Sequence, residues 1–126
     1  RIVGVVAENA PAYALSFDAG RVVATNTAAT FADGVACRSP HPDSVAIINA
    51  GADRIVRVSE GEIADAMRAY FVDTHNMAEG AGAAPLAALL KEKDKMAGRK
   101  VGLILSGGNQ DRERFQIALS GGTPYV

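Results

Sequence analysis

The side chains best placed to do chemistry lie in a few short segments rich in small residues. Ser106-Gly107-Gly108-Asn109 follows the apolar run Val101-Gly102-Leu103-Ile104-Leu105 and precedes a polar stretch from about Gln110. Paired glycines after a buried strand let the backbone approach a flat or anionic ligand closely. A helix opening there offers free N–H groups and the positive end of its dipole. Ser106 would hold a hydroxyl at the strand tip. A plain strand–turn–helix junction carries Gly-Gly as well, so this segment alone leaves both readings open. Glu79-Gly80-Ala81-Gly82-Ala83 is similar: Glu79 is either a site carboxylate or a helix N-terminal acid favoured by the dipole. Asp33 in Ala32-Asp33-Gly34 reads by default as a helix cap. Glu8 ends the apolar run Ile2–Ala7, either as a strand-end carboxylate or as a ligand.

Other reactive residue types carry less. Lys91, Lys93, Lys95 and Lys100 lie in helical or strand-edge settings that make them surface charges. His41 and His75 lack metal-ligand spacing and read as structural. Cys37 is the single cysteine, which excludes an internal disulfide and reads as a small buried thiol.

The elements that must position these residues follow from pattern. Ile2–Glu8 is nearly continuously apolar, as in a strand buried on both faces of a parallel sheet. Asn9-Ala10-Pro11 opens a helix that ends at Gly20. Thr25–Cys37 reads as a loop opening into a small-residue helix, and Pro42–Asn49 as a second short helix stopped by Gly51. Arg54–Val58 alternates as a strand with one face partly wet. Ser59 and Glu62 form a capping box before a helix whose buried stripe is Ile63, Met67, Tyr70, Phe71 and Thr74. A further helix carries Leu86, Leu89 and Leu90, with Pro85 in its first turn, and ends at Gly98. Val101–Leu105 is a second fully buried strand. The alternation implies an α/β fold with a mostly parallel sheet and flanking helices, in which ligands bind beyond the carboxyl ends of strands.

Composition bounds the rest. With 126 residues, 48% hydrophobic and 21% charged, the chain has the balance of one globular domain. Net charge is −1 and the basic residues are scattered, which argues against nucleic acid as a partner. No apolar run reaches the roughly 20 residues that span a bilayer, and no signal pattern opens the chain. The expectation is a cytoplasmic protein. Arg1 leads directly into an apolar strand without a cap, so the chain reads as part of something longer.

Together, Val6-Ala7-Glu8-Asn9-Ala10-Pro11, Thr30-Phe31-Ala32-Asp33-Gly34, Glu79-Gly80-Ala81-Gly82-Ala83 and Leu105-Ser106-Gly107-Gly108-Asn109 resemble a known family. In order and spacing they are similar to the C-terminal region of pyridoxal-phosphate-dependent threonine/serine dehydratases, of which serine racemase is a close relative. The resemblance covers essentially the whole chain. It implies part of the large domain of the tryptophan-synthase-β-like, type II pyridoxal-phosphate fold. The parent reaction would be β-elimination of a β-hydroxy amino acid to a 2-oxo acid and ammonia.

The resemblance also implies roles. Ser106 would hydrogen-bond the pyridine nitrogen of pyridoxal phosphate, with Gly107 beside it. Gly34 would lie against one face of the ring, and Glu79 near ring and substrate. A neutral hydroxyl at the ring nitrogen does not force its protonation as a carboxylate would, which favours loss of the β-hydroxyl over transamination. Relatives bind a divalent cation through positions corresponding to Glu8, the Ala12 carbonyl and Ala14, but Ala14 offers no side-chain oxygen.

The family's Schiff-base lysine and glycine-rich phosphate loop belong to an N-terminal half upstream of Arg1. Residues 1–126 would therefore be the C-terminal portion of the catalytic domain, with no catalytic residue of their own and no regulatory domain after them. The intact protein is expected to be a homo-oligomer, its substrate a small amino acid. Racemisation, elimination from another β-hydroxy amino acid, or a non-catalytic α/β module are the competing readings.

Overall fold

Ile2–Ala7 is rich in β-branched residues, which lose little side-chain freedom in an extended backbone and pack well on a pleated surface. This segment forms β1 in the computed structural model, which describes residues 1–126. It pairs in parallel with β2, Ala52–Val58; Val3 stands opposite Arg54 and Ala7 opposite Val58. A parallel pair requires a long crossover. Here that crossover contains α1 (Ala12–Ala19), a short 3-10 turn at Asp33–Val35, and α2 (Pro42–Gly51). After β2 come α3 (Glu60–Thr74), α4 (Gly80–Lys91), the single turn α5 (Lys93–Met96) and α6 (Arg112–Leu119).

The helix ends are set by local chemistry. The N–H of Gly20, at φ 65°, turns back to close α1. Ser59 and Glu62 form the expected capping box of α3: the Glu62 N–H donates to Ser59 Oγ at 3.2 Å, and the Ser59 N–H to Glu62 Oε2 at 2.8 Å. Both histidines are caps. His41 Nδ1 accepts the Asp43 N–H at the start of α2, and His75 takes a left-handed conformation, φ 58°, to end α3.

The core lies where α3 and α4 pack on the sheet. It is built from Ala7, Val58, Ile63, Met67, Phe31 and many alanines, among them Ala83, Ala84, Ala87 and Ala88 of α4. Small side chains let backbones come close, so modest apolar volume still gives a tight interior.

Several expectations are corrected. Val101–Leu105 is extended but pairs with no strand, and Ile104 is 78% exposed. Apolar residues make a buried strand only when another strand satisfies their backbone. Burial of β1 is graded rather than complete, since Ile2 is 68% exposed whereas Val6 and Ala7 are buried. The buried stripe of α3 stops early: Ile63 and Met67 are in the core, Tyr70 is half-buried, and Phe71 and Thr74 are exposed. Beyond Tyr70 the helix runs past the core, and Phe71 meets only the edge of Phe115 at 5.6 Å. Pro85 stands six residues into α4, not in its first turn, because the helix begins at Gly80. No small-residue helix forms within Thr25–Cys37; only the 3-10 turn does, and Asp33 is its first residue with no side-chain cap bond. Cys37 is half-buried, not enclosed. Lys91 is the exposed surface charge expected, and it is also paired: its ammonium donates to the Arg57 carbonyl at 3.0 Å and to Glu62 Oε2 at 3.1 Å.

Candidate functional site

Three segments distant in sequence meet at the N-terminus of α4, and glycines are what let them meet. Gly80 backs onto the loop before the 3-10 turn; a Cβ there would stand 2.9 Å from both Ala32 Cβ and Phe31 Cε2. On the same side, a Cβ at Gly34 would lie 2.8 Å from Ala81 Cβ. Across the helix, a Cβ at Gly82 would collide with the carbonyl oxygen of Gly107, and one at Gly108 with that of Met77. Those distances are shorter than any real Cβ contact, so glycine is required at both positions for the close approach.

Hydrogen bonds fix the junction. The Glu79 N–H donates to the Gly107 carbonyl at 3.1 Å, and the Glu79 carbonyl accepts the Ala83 N–H at 2.9 Å to start the helix. The Gly80 N–H donates to Gln110 Oε1 at 3.3 Å. Glu79 occupies the N-cap position but its carboxylate caps nothing. Its Oε1 instead lies over Gly107, in the space a side chain at that residue would fill. Gly107 is thus kept bare by Glu79, and Ser106, the residue before it, is exposed at the end of segment 101–105. Gly34 is exposed on the other flank of α4.

The sequence-derived residues therefore border the first turns of α4 on two sides, Gly34 on one and Glu79, Gly107 and the adjoining Ser106 on the other. Gly34 and Ser106 are exposed, and Glu79 and Gly107 are half-buried. A surface cavity of about 430 Å³ lies elsewhere, between α6 and Tyr125. For a planar, hydrogen-bonding cofactor ring the donor set fits: a free hydroxyl at Ser106, a carboxylate at Glu79, and bare glycine backbone at Gly34 and Gly107.

Glu8 and Ala12 do not join this face, nor do they fit a cation. Ala12 is fully buried, and its carbonyl accepts the Ser16 hydroxyl at 2.7 Å. Ser16 Oγ also receives the Val23 N–H at 2.9 Å, so the hydroxyl is fixed in place. Ala14 supplies no oxygen, and no group of three or more His, Cys, Asp or Glu side chains is assembled anywhere. A hard cation wanting about six oxygen ligands finds one exposed carboxylate here.

Sequence reasoning missed Gly82 and Gly108 as contact glycines and Glu60 altogether. The Glu60 carboxylate reaches the loop before Gly34, a contact across thirty residues that no local pattern reports. No helix of the chain is long and apolar enough to cross a membrane.

Comparison with known proteins gives the family and the fold. The profile described as pyridoxal-phosphate dependent enzyme matches residues 1–107. The L-threonine ammonia-lyase of Geobacter sulfurreducens is 38% identical over 122 residues, covering 97% of this chain and 30% of that protein. Among solved structures, threonine deaminase from T.th. superposes with a TM-score of 0.81 at 35% identity, covering 86% of this chain and 40% of the other. Threonine deaminase isoform 2 from Solanum lycopersicum gives 0.88 at 28% identity, covering 96% and 34%. The chain thus spans about a third of the length of the curated relatives it matches. The expected α/β architecture of the type II pyridoxal-phosphate fold is borne out, with its parallel strands and flanking helices. The chain belongs to the pyridoxal-phosphate-dependent enzyme family.

Proposed function

We propose that this chain forms the cofactor-ring side of the active site in an ammonia-lyase that eliminates water from L-threonine or L-serine, yielding a 2-oxo acid and ammonia. It is the C-terminal part of the catalytic domain, and a preceding half supplies the lysine and the phosphate-binding loop. The observation that carries the reading is the convergence of Gly34, Glu79 and Gly107 around the first turns of α4, with Ser106 next to Gly107 in the chain. When bound, pyridoxal phosphate supplies the electron sink for breaking bonds at the substrate α-carbon.

The chain's own residues do the rest. Ser106 donates or accepts a hydrogen bond at the ring nitrogen without fixing a positive charge there. The neutral partner favours loss of the β-hydroxyl over transamination. Gly34 lets the backbone lie flat against one ring face, where a side chain would push the ring away. Gly107 keeps the neighbouring backbone bare. Glu79, with its carboxylate over Gly107, holds a negative charge near ring and substrate and orients the polar groups on the Ser106 side. Ile2, Val3, Val101 and Ile104, exposed here, are covered by the preceding half or by a second subunit of a homo-oligomer.

The test uses the intact protein. It should show the visible absorbance of bound pyridoxal phosphate and release ammonia from threonine and serine. Residues 1–126 alone should do neither. Ser106→Ala should retain the cofactor and lower kcat by about 10- to 100-fold. Racemisation of serine without ammonia release would replace this reading with the racemase one, and ammonia release by the isolated chain would overturn the division of labour.

A further inference from the structure

Glu60 is the first residue of α3, where an acid is ordinarily explained by the helix dipole. The cap of this helix is already complete without it, since Ser59 and Glu62 satisfy each other's backbone. The Glu60 carboxylate turns away to the crossover loop. Its Oε2 accepts the Thr30 hydroxyl at 3.1 Å and the Phe31 N–H at 2.9 Å. Thr30 Oγ1 in turn accepts the Ala32 N–H at 3.1 Å. Thr30, Phe31 and Ala32 are all buried, and none lies in a helix or strand.

A buried segment without regular structure must satisfy its backbone through side chains. Here one carboxylate oxygen gathers the donors of Thr30 and Phe31, while the other, Oε1, is buried without a partner. An ionic acceptor makes hydrogen bonds about twice as strong as a neutral one. The same segment presses Phe31 and Ala32 against Gly80, and two residues later Gly34 faces Ala81. A continuous path therefore runs from Glu60 through Thr30–Ala32 to the backbone of Gly34.

We infer that Glu60 is a positioning residue for the cofactor-ring face: its carboxylate fixes the height at which Gly34 meets the ring. This rests on the proposed role of Gly34, and Glu60 itself touches neither cofactor nor substrate. The experiment compares Glu60→Ala, Glu60→Gln and Thr30→Val with wild type in the intact protein. Pyridoxal-phosphate affinity is measured by titration of the apoprotein, the ring's seating by visible circular dichroism of the bound cofactor, and the loop by amide hydrogen exchange at Phe31 and Ala32.

Glu60→Ala should weaken cofactor affinity about tenfold, change the dichroic band and speed exchange at both amides. Glu60→Gln keeps an amide oxygen for the same two donors and should restore affinity to within about threefold. Thr30→Val removes one donor and should fall between them; it carries the test if Glu60→Ala does not fold. Unchanged affinity and dichroism in Glu60→Ala, with only the melting temperature lowered, would reduce Glu60 to a stabilising residue and overturn the inference. So would a Glu60→Gln as impaired as Glu60→Ala. A wild-type protein that binds no pyridoxal phosphate sinks the functional reading instead; the exchange rates then still report whether Glu60 holds the loop.

Discussion

Around the N-terminus of α4, segments from three parts of the chain pack so closely that glycine is obligatory at Gly82 and Gly108. Along Ile2–Val3 and Val101–Leu105, equally apolar stretches lie open, with Ile2 and Ile104 mostly exposed. The difference is whether each stretch finds its partners within these residues. Backbone hydrogen bonds and close contacts at the α4 junction all come from residues 31–110. The 101–105 segment has no adjacent strand; Leu105 packs on the core, but Val101 and Ile104 stand exposed. The α4 junction is thus closed within these residues, while the 101–105 segment is not paired by them.

The largest effect should come from the core beneath the junction. Met67 is fully buried between α3 and α4, and Met67→Ala should cost about 3 kcal/mol in denaturant unfolding of the intact protein. A cost below about 1 kcal/mol would mean the junction is not supported by this core. Gly82→Ala should follow at about 2 kcal/mol, as the collision with the Gly107 carbonyl outweighs the roughly 1 kcal/mol that alanine gains in a helix. Gly61→Ala is the matched contrast. Its Cβ would meet nothing nearer than 3.7 Å, so it should be neutral or stabilise by up to about 0.5 kcal/mol. Equal effects at the two glycines would break the comparison.

The open region can be probed by charge. Ile104→Asp should destabilise the intact protein by about 2 kcal/mol if the preceding half covers that side chain, and by less than about 0.5 kcal/mol if it stays in water. Urea unfolding of the variant separates the two cases.

What was legible in the sequence divides along the same line. Periodicity and capping residues reported β1, β2 and all the longer helices, because those signals act within a few residues. The four motif segments were legible as a set, and three of them meet at α4 while the Glu8 segment stays apart. Their mechanism of meeting was not legible: that Gly82 faces Gly107 depends on how α4 crosses the 106–108 turn. Val101–Leu105 misled because hydrophobicity reports what a segment would bury, not whether a partner is present to bury it. Pro85 misled for a related reason: the start of α4 is set by Glu79 and Gly107 rather than by the proline. At the Glu8 position the sequence showed the missing Ala14 oxygen but not that the Ser16 hydroxyl donates to the Ala12 carbonyl.

The smallest effect concerns the cap that starts α3, beside both regions. Burial pushes the Glu62 carboxyl upward, but the Ser59 N–H and the Lys91 ammonium outweigh it and leave it below its ordinary value of 4.5. A carboxyl that releases its proton more readily in the folded state stabilises the fold above that ordinary value. The contribution disappears as pH falls through the lower folded value, because protonation then removes the charge that Lys91 and the cap favour. Glu62 is about one-third exposed, so solvent screening limits the gain to under about 1 kcal/mol. Glu62→Gln keeps an oxygen for the Ser59 N–H and loses only the charge. Its melting temperature should therefore fall slightly below wild type at pH 7 and converge with it as the pH falls below 4.5 and through the lower folded value. A gap that persists undiminished at low pH would mean the side chain acts through shape and hydrogen bonding alone, leaving the Lys91 link from α4 to α3 without electrostatic weight.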